Sequence, residues 1–149
     1  MAITLDTLVT SWKTNMAKIK TADGYHTTVA TVTEFEPRIE ETAALPSIDI
    51  RDMSGDASQV TLGSDQGGDD AAAEEHVAHF EITLLMNSTA SALRGFIMDV
   101  RKAVRDNMTA TYRVAYLGHE MIVEQEEKRI VGAVMRFDVT YTTALLGEE

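Results

Sequence analysis

The sequence predicts an α+β two-layer sandwich, a mostly antiparallel sheet packed against two amphipathic helices. Three observations lead there. From Ala78 through Phe80, Ile82 and Leu84 to Met86, apolar residues alternate with polar ones such as His79, Glu81 and Thr83, so a strand has one apolar face. From Leu93 the spacing becomes helical, with Phe96, Ile97, Val100 and Val104 on one side. A second alternating run, Val131, Ala133, Met135, Phe137, Val139 and Tyr141, supplies another half-buried strand. The 149 residues make one domain, 1–149.

The first helix is expected over residues 4–19. Leu5, Leu8, Val9, Trp12, Met16 and Ile19 share a face, Thr4 suits an N-cap, and Lys13, Lys18 and Lys20 complement the dipole towards the end. Trp12, mid-face, is expected to be a core or interface anchor. Asp23-Gly24 signals a turn. The threonine- and valine-rich run Tyr25–Phe35 favours an extended chain and predicts a strand, ended by Glu36-Pro37. Ser47–Met53 alternates again behind Pro46, a residue that strands accept at their first position.

Residues 54–75 read as a long acidic loop. They hold Gly55, Gly63, Gly67 and Gly68, and the acids Asp56, Asp65, Asp69, Asp70, Glu74 and Glu75, with no lysine or arginine. Loops of that length are usually functional or disordered. Asn87-Ser88-Thr89 ends the 76–86 strand with residues that favour turns and N-caps. Thr109–Tyr116 is expected to be extended and Leu117-Gly118-His119 a turn. His119–Glu126 and Arg129–Thr143 are expected to form a final hairpin.

Composition narrows the chemistry. The chain has no cysteine, so disulfides, thiolate metal sites and cysteine nucleophiles are excluded. No apolar run approaches the roughly 20 residues of a membrane span, and the first residues lack the basic start of a signal peptide. Thirteen Lys+Arg against 24 Asp+Glu leave a net charge of −11, which favours solubility and repels polyanions at long range.

Catalytic and metal constellations fail one by one. His76 and His79 project to opposite faces of a strand and cannot share a metal. The acids and glycines of 65–70 lack the EF-hand spacing and its flanking helices. No nucleophile elbow, Walker loop or Gly-rich dinucleotide motif occurs. The expectation is therefore a protein that is not an enzyme and carries no cofactor. One surface feature stands out. Arg94, Arg101 and Arg105 fall on one stripe of the second helix with Lys102 beside it, while Asp99 and Asp106 share another. Such a stripe could bind acids of a neighbouring copy, and a closing head-to-tail contact makes a ring.

The order of these elements resembles the tail terminator (tail completion) proteins of long-tailed bacteriophages. The shared pattern is an amphipathic first helix, Thr/Val-rich β segments, a Leu45-Pro46-Ser47-Ile48-Asp49-Ile50 strand entry, a long acidic loop, the strand leading into the helix Leu93–Val104, and two last strands ending in Arg136-Phe137-Asp138-Val139-Thr140-Tyr141. It covers about residues 3–143. The resemblance implies a small α+β fold and a virion structural role at the head-proximal end of the tail, assembled in the bacterial cytoplasm. A hexameric ring would cap the tail tube, end its polymerisation and offer the joining surface for a head-completion or connector protein. DNA would pass through the lumen without specific binding, and no membrane is involved. The interface candidates are then Arg94, Arg101, Lys102 and Arg105. The acidic-loop candidates are Asp65, Asp69, Asp70, Glu74 and Glu75. The alternatives are another head–tail connector or neck protein, a non-viral acidic adaptor, or a ligand-binding module.

Overall fold

The computed structural model describes residues 4–35, 44–61, 72–106, 112–125 and 130–144. Helix α1 (Leu5–Met16) is followed by a short 3-10 turn (Thr21–Asp23) and strands β1 (Thr31–Glu34), β2 (Ser47–Thr61) and β3 (Ala72–Asn87). Helix α2 (Ala90–Asp106) and strands β4 (Tyr112–Gln125) and β5 (Ile130–Ala144) complete the chain. The strands form one sheet in the order β1-β2-β3-β5-β4, antiparallel except for the β1–β2 pair. This is the α+β sandwich that the two periodicities predict, with both helices on one face of the sheet.

Local chemistry sets the helix ends. The Thr4 Oγ1 accepts from the Thr7 N–H at 2.9 Å, and the Thr89 Oγ1 accepts from the Ala92 N–H at 3.1 Å, so each helix starts at a threonine cap. Helix α1 stops at Met16, earlier than residue 19, and tightens through Lys18 N–H to the Asn15 carbonyl and Ile19 N–H to the Met16 carbonyl. Ile19 still reaches the core. Gly24, at φ 92, takes the left-handed conformation that an Asp-Gly turn requires.

The core lies between the helices and the apolar sheet face. Leu8, Val9, Trp12 and Met16 of α1 and Leu93, Phe96, Ile97 and Val100 of α2 pack on Phe80, Ile82, Leu84, Met135, Phe137 and Val139. The Trp12 ring lies 4.8 Å from that of Phe80 and 5.5 Å from that of Phe137. The opposite sheet face is polar. Asp49, buried there, accepts from Thr33 Oγ1 at 2.7 Å and from Arg51 Nε at 2.7 Å, which spreads its charge over two donors.

Three expectations are corrected. Residues 54–75 are not one loop: Ser54–Thr61 continue β2 and Ala72–Glu75 begin β3, paired from Ser54↔His79 to Thr61↔Ala72. Cross-strand partners supply the order that a polar, Gly-containing sequence does not advertise. Residues 62–71, with Asp65, Asp69 and Asp70, lie outside the described residues. The run Tyr25–Phe35 pairs as a strand only over Thr31–Glu34. Before it the backbone donors go elsewhere, His26 N–H to Asp99, Val29 N–H to the Ile19 carbonyl and Ala30 N–H to the Pro46 carbonyl. Leu117-Gly118-His119 is not a turn. It lies inside β4, whose pairing slips by one residue between Tyr116↔Phe137 and Gly118↔Arg136. Leu117 bulges out, and Gly118 at φ 120 absorbs the distortion.

Candidate functional site

The sequence places Arg94, Arg101 and Arg105 on one stripe of α2. The fold lays that stripe against β4, an edge strand of the sheet. Two clefts that share Met98, Arg101 and Tyr116 run along this seam, of about 520 and about 700 Å³. Arg101 lines both, Lys102 and Arg105 line the first, and Arg94 lines the second. The structure thus gathers all four predicted cations into one groove.

Tyrosines hold two of these cations in place. The Arg101 guanidinium lies 4.3 Å from the centre of the Tyr116 ring, and the Lys102 ammonium 4.9 Å from that of Tyr25. Burial raises the Tyr116 hydroxyl above its ordinary pKa, and Arg101 partly offsets that rise. Burial also raises the Tyr25 hydroxyl, reinforced by Asp106, Asp99 and Asp23. Both phenols therefore stay neutral at physiological pH and present polarisable faces to the cations. The Tyr116 hydroxyl is also hydrogen-bonded to His119 Nδ1 at 2.7 Å. The groove also carries exposed apolar side chains, Met98 at 57% and Met121 at 40%.

At the groove floor, Asp99 departs from the sequence reading. The helical spacing sets it with Asp106 on a second stripe of α2, yet it is only 2% exposed. Its Oδ1 accepts from the His26 N–H at 2.9 Å, and its Oδ2 is buried with no hydrogen-bond partner. One turn earlier, Gly95 leaves room for the crossing chain: a Cβ there would lie 3.1 Å from the His26 Cβ. Gly95 and Asp99, four residues apart, together seat the segment that bends through His26 onto α2. The i, i+4 pairing of a glycine with an acid was the available signal, and periodicity of apolar residues does not register it.

Of the acidic candidates, Glu75 is not among the residues that line the groove. Glu75 lies on the far stretch of β3 and pairs with Arg113 at 3.8 Å. Glu74 also lies on β3, and Asp65, Asp69 and Asp70 lie outside the described residues. The two histidines do face opposite sides of the sheet. His76 stacks on Tyr141 at 5.1 Å on the helix side, while His79 sits on the polar side between Asp138, 2.7 Å from Nδ1, and Asp56, 3.0 Å from Nε2. Among the described residues no group of three or more His, Asp or Glu is placed to hold a metal ion. Among them, too, no helix is long and apolar enough to cross a membrane.

The pairing of His79 has a measurable consequence. Hydrogen bonds to Asp56 and then to Asp138 raise its pKa above the ordinary 6.5. The protonated form is favoured in the folded chain, so this stabilisation is complete below 6.5 and is lost as the pH rises through the raised folded value. Urea midpoints of the wild type should fall across that window. The variant His79→Gln should be less stable at low pH and should lack that step; an unchanged pH profile in the variant would count against the three-strand clamp.

No known family profile matches the chain, and no curated protein matches it. Among solved structures, it is similar to a chain of the virion of a native gene transfer agent particle. The match covers 74% of this chain and 78% of that one, with 13% identity and a TM-score of 0.38.

Proposed function

We propose that this protein is a virion structural component of a long-tailed phage that works as a self-associating ring, of the tail terminator type. The ring, a hexamer, caps the tail tube, ends its growth and offers the joining surface for a head-completion protein. One observation carries the reading: a groove that combines four cations with exposed Met98 and Met121 on a chain of net charge −11. Mixed basic and apolar surface of this kind suits a partner that is acidic and partly apolar. A second copy of this chain meets that description. The element order set out above supports the assignment to the tail terminator type, and the acidic balance suits a lumen through which DNA slides without adhering.

The groove also adjoins a sheet edge. Among the described residues β4 pairs on one side only, and the Leu117 bulge twists it, which discourages indiscriminate strand pairing while leaving a specific contact open. Arg101 is the central contact, since it lines both clefts.

Light scattering of the purified chain at low and moderate salt, with negative-stain images of the same fractions, tests the reading. A six-fold ring is expected. Arg101→Glu should weaken association at least about tenfold, because a like charge replaces an attractive one at an interface, with little loss of monomer fold by circular dichroism. A ring population unaltered by that change would remove α2 from the interface. Capping of tail-tube polymers by the wild type, and its loss in Arg101→Glu, would separate a terminator from another neck protein.

A further inference from the structure

We propose that the α2–β4 side of one copy receives the opposite edge of the sheet, the β1–β2 edge around Phe35 and Met53, of a second copy. This inference rests on the oligomer reading above and names the surface of the neighbour that meets the groove. Three observations carry it.

The first is where apolar surface is left uncovered. Among the described residues the exposed large apolar side chains are Phe35, Met53, Met98, Leu117 and Met121. They fall into two groups at opposite ends of the strand order. Phe35 follows β1, the first strand in that order, and Met53 lies on β2 beyond Ile50, the last residue that pairs with β1. Met98, Leu117 and Met121 lie on α2 and on β4, the last strand in the order. An apolar group at each edge suits a chain that offers one edge and accepts the other.

The second is the matching build of the two edges. On β2 the pairing with β3 slips between Asp52↔Phe80 and Ser54↔His79, and Met53 is the extra residue. On β4 the slip between Tyr116↔Phe137 and Gly118↔Arg136 makes Leu117 the extra residue. Bulges re-aim a side chain, and soluble proteins usually blunt a sheet edge with charge. Here each bulge carries a large apolar side chain instead, Met53 at 52% exposure and Leu117 at 58%. Phe35 extends the first edge. Its backbone holds φ 53, a left-handed conformation that a bulky residue adopts only at a cost, and its ring is 49% exposed.

The third is charge. Among the described residues Arg94 and Arg101 have no carboxylate partner. Two acids on that side, Asp106 and Glu120, are engaged by Arg105 at 3.5 Å and Arg136 at 3.8 Å. The other edge has the opposite balance. Asp52 and Asp56 flank the Met53 bulge, and Arg51 beside them is bound to Asp49 at 2.7 Å. Asp56 touches His79 yet stays largely exposed. Asp52, in register with Phe80, is on the helix side of the sheet, the side that carries α2 and its arginines. Two α2–β4 sides brought together would set arginine against arginine, and two β2 edges would set aspartate against aspartate, so like edges repel and unlike edges attract. The contact is therefore heterologous, and repeated it gives a ring if the rotation closes.

Cross-linking tests this, because the chain has no cysteine of its own. Met53→Cys, Leu117→Cys and the double variant are each treated with a short bismaleimide. Within one chain the two positions lie three strands apart, roughly 14 Å at the usual strand spacing, which a short linker does not span. The double variant should give a ladder of linked multimers, and each single variant alone should stay unlinked. A linked dimer from either single variant would show like edges meeting and would overturn the proposal. Rings in light scattering and negative stain with no ladder from the double variant would overturn the edge contact and leave the ring reading standing. A wild-type chain that stays monomeric would overturn both. Association strength is the second readout. Phe35→Asn, Met53→Ser should associate at least about tenfold less tightly, since burial of two large apolar side chains exceeds one decade in affinity. Its urea midpoint as a dilute monomer should not fall, because asparagine tolerates a positive φ and both side chains are exposed. Undiminished association of that variant would overturn the docking.

Discussion

Replacing Trp12 with alanine is expected to remove about 3–5 kcal/mol of stability, the range for a large aromatic lost from a packed core. Trp12 is 2% exposed and sits where α1 meets the centre of the sheet, against Phe80 of β3 and Phe137 of β5. The edge-on contact with Phe137 contributes beyond area, since tilted aromatic pairs add about 0.5–1.5 kcal/mol. Domains of this size have roughly 5–15 kcal/mol in total, so much of the margin goes. Urea unfolding followed by far-UV circular dichroism measures the change, because the only tryptophan is gone. Trp12→Phe should recover over half of the loss. A Trp12→Ala chain with an unshifted urea midpoint would show that α1 is not part of the cooperative core.

Gly132→Ala is the second large effect, expected at about 2–3 kcal/mol, towards the upper range for overpacking. A Cβ at this position would lie 2.6 Å from Leu85 Cδ2, 2.7 Å from the Leu84 carbonyl oxygen and 3.2 Å from Ile122 Cγ1. The leucine side chain can rotate away, but the carbonyl belongs to the ladder that pairs Leu85 with Gly132. Strands β3 and β5 must then separate at the centre of the sheet. The double variant Gly132→Ala, Leu85→Ala should be less destabilised than the sum of the two single changes, because trimming Leu85 relieves the side-chain clash that Gly132→Ala creates. Strict additivity would mean that Leu85 does not cover Gly132 in solution.

The legibility of the fold follows from what each feature depends on. The Thr4 and Thr89 caps, the alternation of 78–86 and 131–141, and the helical spacing of 93–104 depend on residues a few positions apart, and the structure agrees with all of them. The arm of β2 and β3 depends on pairing across the hairpin, so 54–61 and 72–75 read as loop while they are strand. Leu117-Gly118 carries the local chemistry of a turn equally well as that of a bulge. Only the continued pairing of β4 with β5 on both sides decides between them. The candidate cations were legible because four charges on one helix share a stripe. The polar network of Thr33, Asp49 and Arg51 was not, since Thr33 meets Asp49 only through the parallel pairing of β1 with β2.

By itself the sequence determined which face of each element is apolar, that the elements make two layers, and that one helix carries a cationic stripe on an acidic chain. Backbone geometry alone converts residue spacing into faces, so these properties are set locally. The tertiary structure decided what each face meets. It laid the stripe along Tyr116 and the edge strand, buried Asp99 beneath the crossing chain at His26, and set His79 between carboxylates from two other strands. Those juxtapositions follow from strand order and register, which are fixed by contacts between residues far apart in the chain, and no window of neighbouring residues contains them.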